Sequence, residues 1–289
     1  MSKVMLAKIF DPKKSLIISW IASEKYDGYR GIWDPKIKKV FSRNGNPLNV
    51  PPWFIDLLYP YNFPIDGELW FGYGKFKECG MFRRKRVTEN EWREMCPQYK
   101  VFDLPNSKKK YSERIKQIKS IIRKIRTNWT KIKKDYNLKG KCPIDNVKTR
   151  KILKNDKLKE WFQEILKKGG EGLILRNPDS VYITKRSNDM LKYKATLDHE
   201  CRIIGYKLGN GKYAKSLGSF NCRWRSPNSK LVRDFYLSGI NDEIRKNYLK
   251  THPIGTIINF NYMEETNNGI PRHPHYNRIR EHATNVPNI

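Results

Sequence analysis

The run Ser23-Glu24-Lys25-Tyr26-Asp27-Gly28-Tyr29-Arg30 sets a lysine two residues before an acid, a glycine directly after the acid, and an arginine two residues further on. A strand alternates its faces, so Lys25 and Asp27 point the same way if the run is extended. Gly28 removes the side chain where the backbone must turn or let another group come close. Arg30 brings a planar donor fork suited to phosphate or ribose oxygens. A lysine becomes an attacking amine only when its surroundings free the lone pair. By itself the run also fits a surface turn carrying an ion pair, so its meaning depends on the rest of the chain.

The 289 residues are enough for two domains, and a hydrophobic content of 38% supplies their cores. No apolar run reaches the roughly 18 residues that a spanning helix needs. Ser15 to Ala22, which reads as a buried strand or short helix, is too short for a signal peptide's apolar region plus cleavage site. An intracellular setting (cytoplasm, nucleus or viral factory) and no membrane contact are expected. Five scattered cysteines without a Cys-x-x-Cys pair argue for reduced thiols rather than a zinc ribbon. The net charge of +30 favours a polyanionic partner, most simply nucleic acid, although a lysine-rich composition alone explains part of it. Residues 104–168 hold 22 Lys/Arg against 6 Asp/Glu, either a solvated basic helix face or a track for a polyanion.

After Arg30, Gly31-Ile32-Trp33 continues a strand and Asp34-Pro35-Lys36 turns it. Lys39 to Arg43 returns, and Asn44-Gly45-Asn46-Pro47 is a turn. Pro51-Pro52 leads into a helix over Trp53 to Leu58. Pro64 to Trp70 and Tyr99 to Asp103 read as strands. From Tyr111, isoleucines 115, 118, 121, 122 and 125 recur at helical spacing. A second helix over Asp156 to Lys168 stops at Gly169-Gly170, and Glu171 to Arg176 is a buried strand. Beyond Leu197 the pattern becomes short strands with glycine turns (Cys201–Lys207, Ser219–Trp224, Asp234–Leu237, Thr256–Tyr262), as in a small barrel. The expected domains are therefore 1–196 and 197–289.

The polar punctuation is Lys25-x-Asp27-Gly28-x-Arg30, Ser42-Arg43, Asp66-Gly67-Glu68, Phe102-Asp103, Glu171-Gly172-x-x-x-Arg176, Arg186 and Lys192-x-Lys194. Charges at the ends of apolar strands are costly unless paired or used. Taken in order, this set resembles the motifs of the covalent nucleotidyltransferase superfamily of ATP-dependent polynucleotide ligases and mRNA capping enzymes. It is most similar to minimal ATP-dependent DNA ligases, the small E-type bacterial and viral enzymes. Ser42-Arg43-Asn44-Gly45-Asn46-Pro47, Asp66-Gly67-Glu68-Leu69-Trp70 and the C-terminal Gly269-Ile270-Pro271-Arg272-His273-Pro274 with Arg278-Ile279-Arg280 carry that similarity.

The resemblance implies an α+β fold: an adenylyltransferase domain of ATP-grasp-like antiparallel sheets with helices, then a β-barrel OB-fold domain. It implies that Lys25 attacks the α-phosphate of ATP, that AMP passes to the 5′-phosphate of a nick in duplex DNA, and that the 3′-hydroxyl then displaces AMP. Asp27 would orient reacting groups or bind metal, with Glu68 and Glu171 as further ligands for Mg2+ or Mn2+. Arg30 would hold the sugar or the nick, Arg43 a phosphate, and Phe102 the adenine. Glu24 would border the nucleotide. Arg186, Lys192 and Lys194 would neutralise the transferring phosphate. Arg272, Arg278 and Arg280 would align the pyrophosphate. Related ligases often carry an aspartate and a lysine after the final arginine, where this chain has Glu281-His282. Asp103 and Arg176 read as structural partners, and neither His273-x-His275 nor His199-Glu200-Cys201 reads as a metal site. With 24 residues before Lys25 and no long insertion in the barrel, a monomeric core enzyme that grips DNA through basic surface is expected. A capping guanylyltransferase, an RNA ligase and a basic nucleic-acid-binding protein with an inactive nucleotide site are the alternatives.

Overall fold

The computed structural model describes residues 4–11, 17–84, 86–105, 107–195, 197–266 and 268–280. Contacts divide the chain into two compact units, Met1–Lys194 and Ala195–Ile289. The first unit runs β1 (Leu6–Ile9), β2 (Ile21–Glu24), β3 (Tyr29–Asp34), β4 (Lys39–Ser42), α1 (Pro52–Leu58), β5 (Ile65–Trp70), a 3-10 segment (Phe76–Arg83), α2 (Glu89–Met95), β6 (Gln98–Asp103), α3 (Tyr111–Asp135), β7 (Ile144–Asn146), β8 (Thr149–Lys151), α4 (Asn155–Lys167), β9 (Gly172–Arg176) and β10 (Arg186–Lys194).

These strands form two sheets of five, ordered β1-β10-β9-β2-β8 and β4-β3-β5-β6-β7. The chain crosses from the first sheet to the second between β2 and β3, through Lys25 to Gly28. The Lys25 run is therefore a link between sheets, not the continuous strand in which Lys25 and Asp27 would share a face. Two strands of different sheets cannot be one straight ladder, and the polar Lys25-Tyr26-Asp27 carries the change of direction.

Each helix follows from its sequence. α1 has proline in its first turn, where a missing N–H costs nothing. α2 opens on a capping box between Thr88 and Glu91. α3 turns Ile118, Ile121, Ile122 and Ile125 onto the second sheet, in one core with Trp33, Leu69, Tyr99 and Val101. α4 buries Leu158, Trp161, Phe162 and Ile165, and Phe162 stacks on Tyr193 of β10 with ring centroids 3.9 Å apart. Gly169 ends α4 at φ +82°, a left-handed cap that glycine adopts without strain.

The second unit contains β11 (Leu197–Leu208), β12 (Leu217–Arg225), β13 (Val232–Leu237), α5 (Asp242–Thr251), β14 (Ile257–Tyr262) and β15 (His275–Ile279). Its sheet order is β13-β12-β11-β14-β15, and every neighbouring pair is antiparallel. The expected barrel is not closed. The edge strands meet among the described residues through an isolated bridge, Ser238 to His275, rather than a ladder. Trp224, Phe235 and Phe260 pack together in its core. α5, which the sequence reading did not contain, starts on Asn241, whose side chain accepts from the Ile244 N–H at 2.8 Å. Among the described residues no helix is long and apolar enough to cross a membrane. The segment 12–16 and the pair Glu281-His282 lie outside the described residues.

Candidate active site

Two glycines press the Lys25 loop into place. A Cβ on Gly28 would sit 2.2 Å from the Leu69 carbonyl oxygen and 2.9 Å from the Glu68 Cγ, so only glycine lets the loop touch β5 beside Glu68. A Cβ on Gly172 would sit 2.1 Å from the Tyr193 carbonyl oxygen, at φ +143°. The Lys25 N–H donates to the Gly172 carbonyl at 2.9 Å, which brings the loop to the start of β9, next to Glu171.

Side chains from both sheets then converge. The Lys25 ammonium donates to Glu171 Oε2. Lys194 Nζ lies 3.4 Å from Glu171 Oε1. Glu171 is almost fully buried, and both lysines keep about a quarter of their side chains in solvent (25% and 24%). On β10, Lys192 and Lys194 alternate onto the face opposite α4, because Tyr193 between them stacks on that helix. Burial lowers the pKa of Lys192, and the cations Lys194, Lys25 and Arg186 lower it further. Glu68 reaches the same place from the second sheet. Burial pushes its carboxyl up to about 8 against the pull of Lys25 and Arg30, with Asp66 and Glu171 adding repulsion.

Arg30 already has three of its N–H groups committed within the protein. Its Nε and Nη2 grip Asp66 at 2.8 and 2.5 Å, and Nη1 donates to the Met5 carbonyl at 2.9 Å. The Tyr182 hydroxyl also donates to Asp66, at 2.9 Å. The guanidinium lies 5.2 Å from the centroid of Phe102, so it braces the half-buried ring. Asp27 is half-buried in the loop itself. Glu24 takes hydrogen bonds from Tyr26 and Tyr73, while its Oε1 is buried without a partner. Arg186 donates to the Ala7 carbonyl at the β1 edge.

Arg43 stands apart from this group. It is exposed on the turn after β4, which Ser42 locks by accepting from the Asn46 N–H at 3.1 Å. Arg272, Arg278 and Arg280 belong to the second unit. There Arg272 pairs with Glu264 at 2.5 Å, Arg280 with Glu200, and Arg278 lies exposed on β15 opposite Asn259.

Sequence reasoning gave no role to Lys100. It sits opposite Glu68 in the β5–β6 register, and its Nζ lies 5.7 and 5.6 Å from the rings of Tyr26 and Trp70. The signal was its two-residue spacing from Phe102, which on a strand shares a face. No group of three or more His, Cys, Asp or Glu among the described residues is arranged to hold a metal ion alone. Mg2+ commonly takes one or two carboxylates and completes its shell with substrate phosphates and water, so Glu68 and Glu171 fit that mode.

A sequence model described as the ATP dependent DNA ligase domain matches residues 4–194, the whole span of this site. The chain belongs to the ATP-dependent DNA ligases. A second model, the DNA ligase OB-like domain, matches residues 208–280. The ligase is 30% identical over 265 residues to a DNA ligase of Haemophilus influenzae, covering 92% of this chain and 88% of that one. Its fold is similar to a solved structure titled as a minimal-scaffold study of Lig E DNA ligases, at a TM-score of 0.76 and 23% identity, over 97% of this chain and 100% of that one. The adenylate form of Chlorella virus DNA ligase shares the fold at a TM-score of 0.54 and 22% identity, over 97% and 98% of the two chains. This ligase is an enzyme that uses ATP to seal nicks in DNA.

Proposed function

We propose that Lys25 is the nucleophile of this ligase and that the side chains converging on Glu171 carry its three transfers. Lys25 Nζ attacks the α-phosphorus of ATP, an N–P bond forms, and pyrophosphate leaves. The AMP then moves to the 5′-phosphate of a nick, freeing the lysine. The 3′-hydroxyl oxygen attacks that phosphate, the strand closes, and AMP departs. Glu171 holds the ammonium in place and, as a carboxylate, accepts its proton. Lys192 and Lys194 meet the charge on the transferring phosphate, a task worth about 3–4 kcal/mol per well-aimed donor in comparable sites. Phe102 stacks on adenine, with Arg30 and Asp66 fixing its ring rather than touching the nucleotide. The partnerless Oε1 of Glu24 borders the base. Asp27, Glu68 and Glu171 supply oxygens for Mg2+ or Mn2+, which when bound offsets phosphate charge. Arg43, on its exposed turn, meets phosphate of the DNA. Arg272, Arg278 and Arg280 of the second unit act on the pyrophosphate. The two units serve as adenylyltransferase and OB-fold domains, and the enzyme works as an intracellular monomer on nicked duplex DNA.

The Lys25–Glu171–Lys194 cluster carries this reading. Intact mass after incubation with ATP and magnesium tests it. A gain of one AMP that disappears in Lys25→Ala, together with sealing of a nicked duplex, is the expected outcome. An adduct that persists in Lys25→Ala overturns the assignment of the nucleophile. An adduct formed from GTP and not ATP overturns the assignment of the substrate.

A further inference from the structure

We propose that the outward face of α3 is a second surface for duplex DNA, distinct from the site around Lys25. The choice of DNA as the partner rests on the ligase reading, whereas the surface stands on its own geometry.

The pleat of the second sheet separates the two places. Tyr99 and Val101 of β6 and Leu69 of β5 face the core with α1 and α3, whereas Glu68 and Lys100 alternate to the other face. The solvent side of α3 thus lies beyond both the sheet and the helix, whose own diameter is about 10 Å. That side carries Lys116, Lys119, Arg123, Lys124, Lys131 and Lys134, all exposed. Lys116 to Lys134 spans about 27 Å at 1.5 Å per residue. Duplex DNA offers a charge per about 1.7 Å, on the order of sixteen phosphates over that length.

Composition alone does not produce this face. No acid occurs between Glu113 and Asp135, about six turns. Glu113 is already used, accepting from the Lys110 N–H at 3.1 Å. Among the described residues one cation of this face is seen in an ion pair, Arg126 with Asp145 at 2.7 Å. The other surface helices of the same lysine-rich chain are balanced. α4 intersperses Asp156, Glu160 and Glu164, and its flank shows Lys157–Glu160 at 2.8 Å and Arg150–Glu164 at 3.6 Å. α5 opens with Asp242 and Glu243. On α3, neighbours three or four apart, such as Lys119 and Arg123, repel each other in the free protein. A phosphate backbone laid along them relieves that repulsion. A surface on the far side of the sheet from the nick gives the enzyme a hold on a second segment of duplex.

The test uses the full-length protein and two neutralised variants of equal charge. One carries Lys116→Gln, Arg123→Gln, Lys131→Gln and Lys134→Gln on α3. The other carries Lys154→Gln, Lys159→Gln, Lys167→Gln and Lys168→Gln at α4. Binding of an un-nicked duplex is measured across salt concentrations. Bridging is measured as capture of a labelled duplex on bead-bound nicked DNA, and adenylation by intact mass. The α3 variant is expected to lose at least tenfold in duplex affinity at low salt, with a shallower salt slope, and to lose bridging. Its adenylation and the behaviour of the α4 variant stay near those of the parent. Equal losses in both variants overturn the proposal in favour of bulk charge. Undiminished duplex binding and bridging in the α3 variant overturn it as well, as does stronger competition by an acidic peptide or by RNA than by duplex DNA. Loss of the AMP adduct in the parent protein would instead strike the function proposed above and leave the α3 comparison readable.

Discussion

At the scale of single residues, the proposed nucleophile of this ligase rests on a partner. Lys25 is paired with Glu171, and Glu171 also faces Lys194. Glu171→Gln removes the charge that fixes both lysines, and single-turnover adduct formation should fall about 10²-fold, the loss typical of a misplaced reacting group. Glu68 makes a second prediction, in pH. Its folded carboxyl titrates near 8, above the ordinary carboxylate range, so the folded state holds this proton more tightly than the unfolded chain does. The penalty therefore begins as pH rises past about 4.5 and is complete above about 8. Glu68→Gln should raise the melting temperature of the ligand-free protein at pH 9 more than at pH 6. If Glu68 serves as a carboxylate, adduct formation should also gain with pH through the neutral range, and the variant should lose that limb. A melting shift that is equal at both pH values contradicts the assignment of the proton.

At the scale of elements, a buried ion triad joins the two sheets of the first unit. Asp103 on β6 takes Arg114 of α3 at 2.6 Å and Arg176 of β9 at 2.5 Å, and both guanidiniums lie over Tyr111, at 5.4 and 4.4 Å. Burial works against the Asp103 charge, but Arg176 and Arg114 prevail and hold its pKa below the ordinary range. Its contribution is therefore present above about 4 and is lost as pH falls through the depressed value. Asp103→Ala strands two buried cations and should cost about 3–5 kcal/mol in denaturant unfolding. Gly28→Ala tests the packing of the loop. With a Cβ 2.2 Å from the Leu69 carbonyl, the loop must move, and adduct formation should fall by more than tenfold while circular dichroism stays unchanged. What could be read in advance obeys the same physics. α4 and β9 declared themselves because their buried residues repeat at 3.6 or form an apolar run. α5 did not, since none of its residues is fully buried and its core contacts come from two half-buried residues, Ile244 and Tyr248. β10 was hidden by its charges, which line the site instead of a core. α2 has a legible start in Thr88-x-x-Glu91, but too short an apolar pattern behind it to stand out.

At the scale of the whole molecule, a net charge of +30 sets how the ligase meets DNA. Nick affinity should fall steeply with salt, by about 10³-fold or more between 50 and 200 mM if six or more phosphates are neutralised. A flat profile measured by fluorescence anisotropy contradicts a grip made of surface charge. The order of the motifs along the chain made the family and the converging lysines and carboxylates legible, because charges set within or beside apolar strands are costly unless they are paired or used. Partner choice within the site was not legible. The commitment of Arg30 to Asp66 depends on β3 and β5 lying side by side, and the isolation of Arg43 depends on β4 being an edge strand. The link from Lys25 to Gly28 has one more consequence. Lys25, Glu171 and Lys194 stand together at the end of the first sheet, and Glu68 reaches them from the second, across a seam that exists only after the two sheets have formed and met. With Lys25 as the proposed nucleophile, the whole constellation is complete only then, so the covalent AMP tag should work as a clock of maturation: its appearance during refolding should follow the docking of the second sheet on the first.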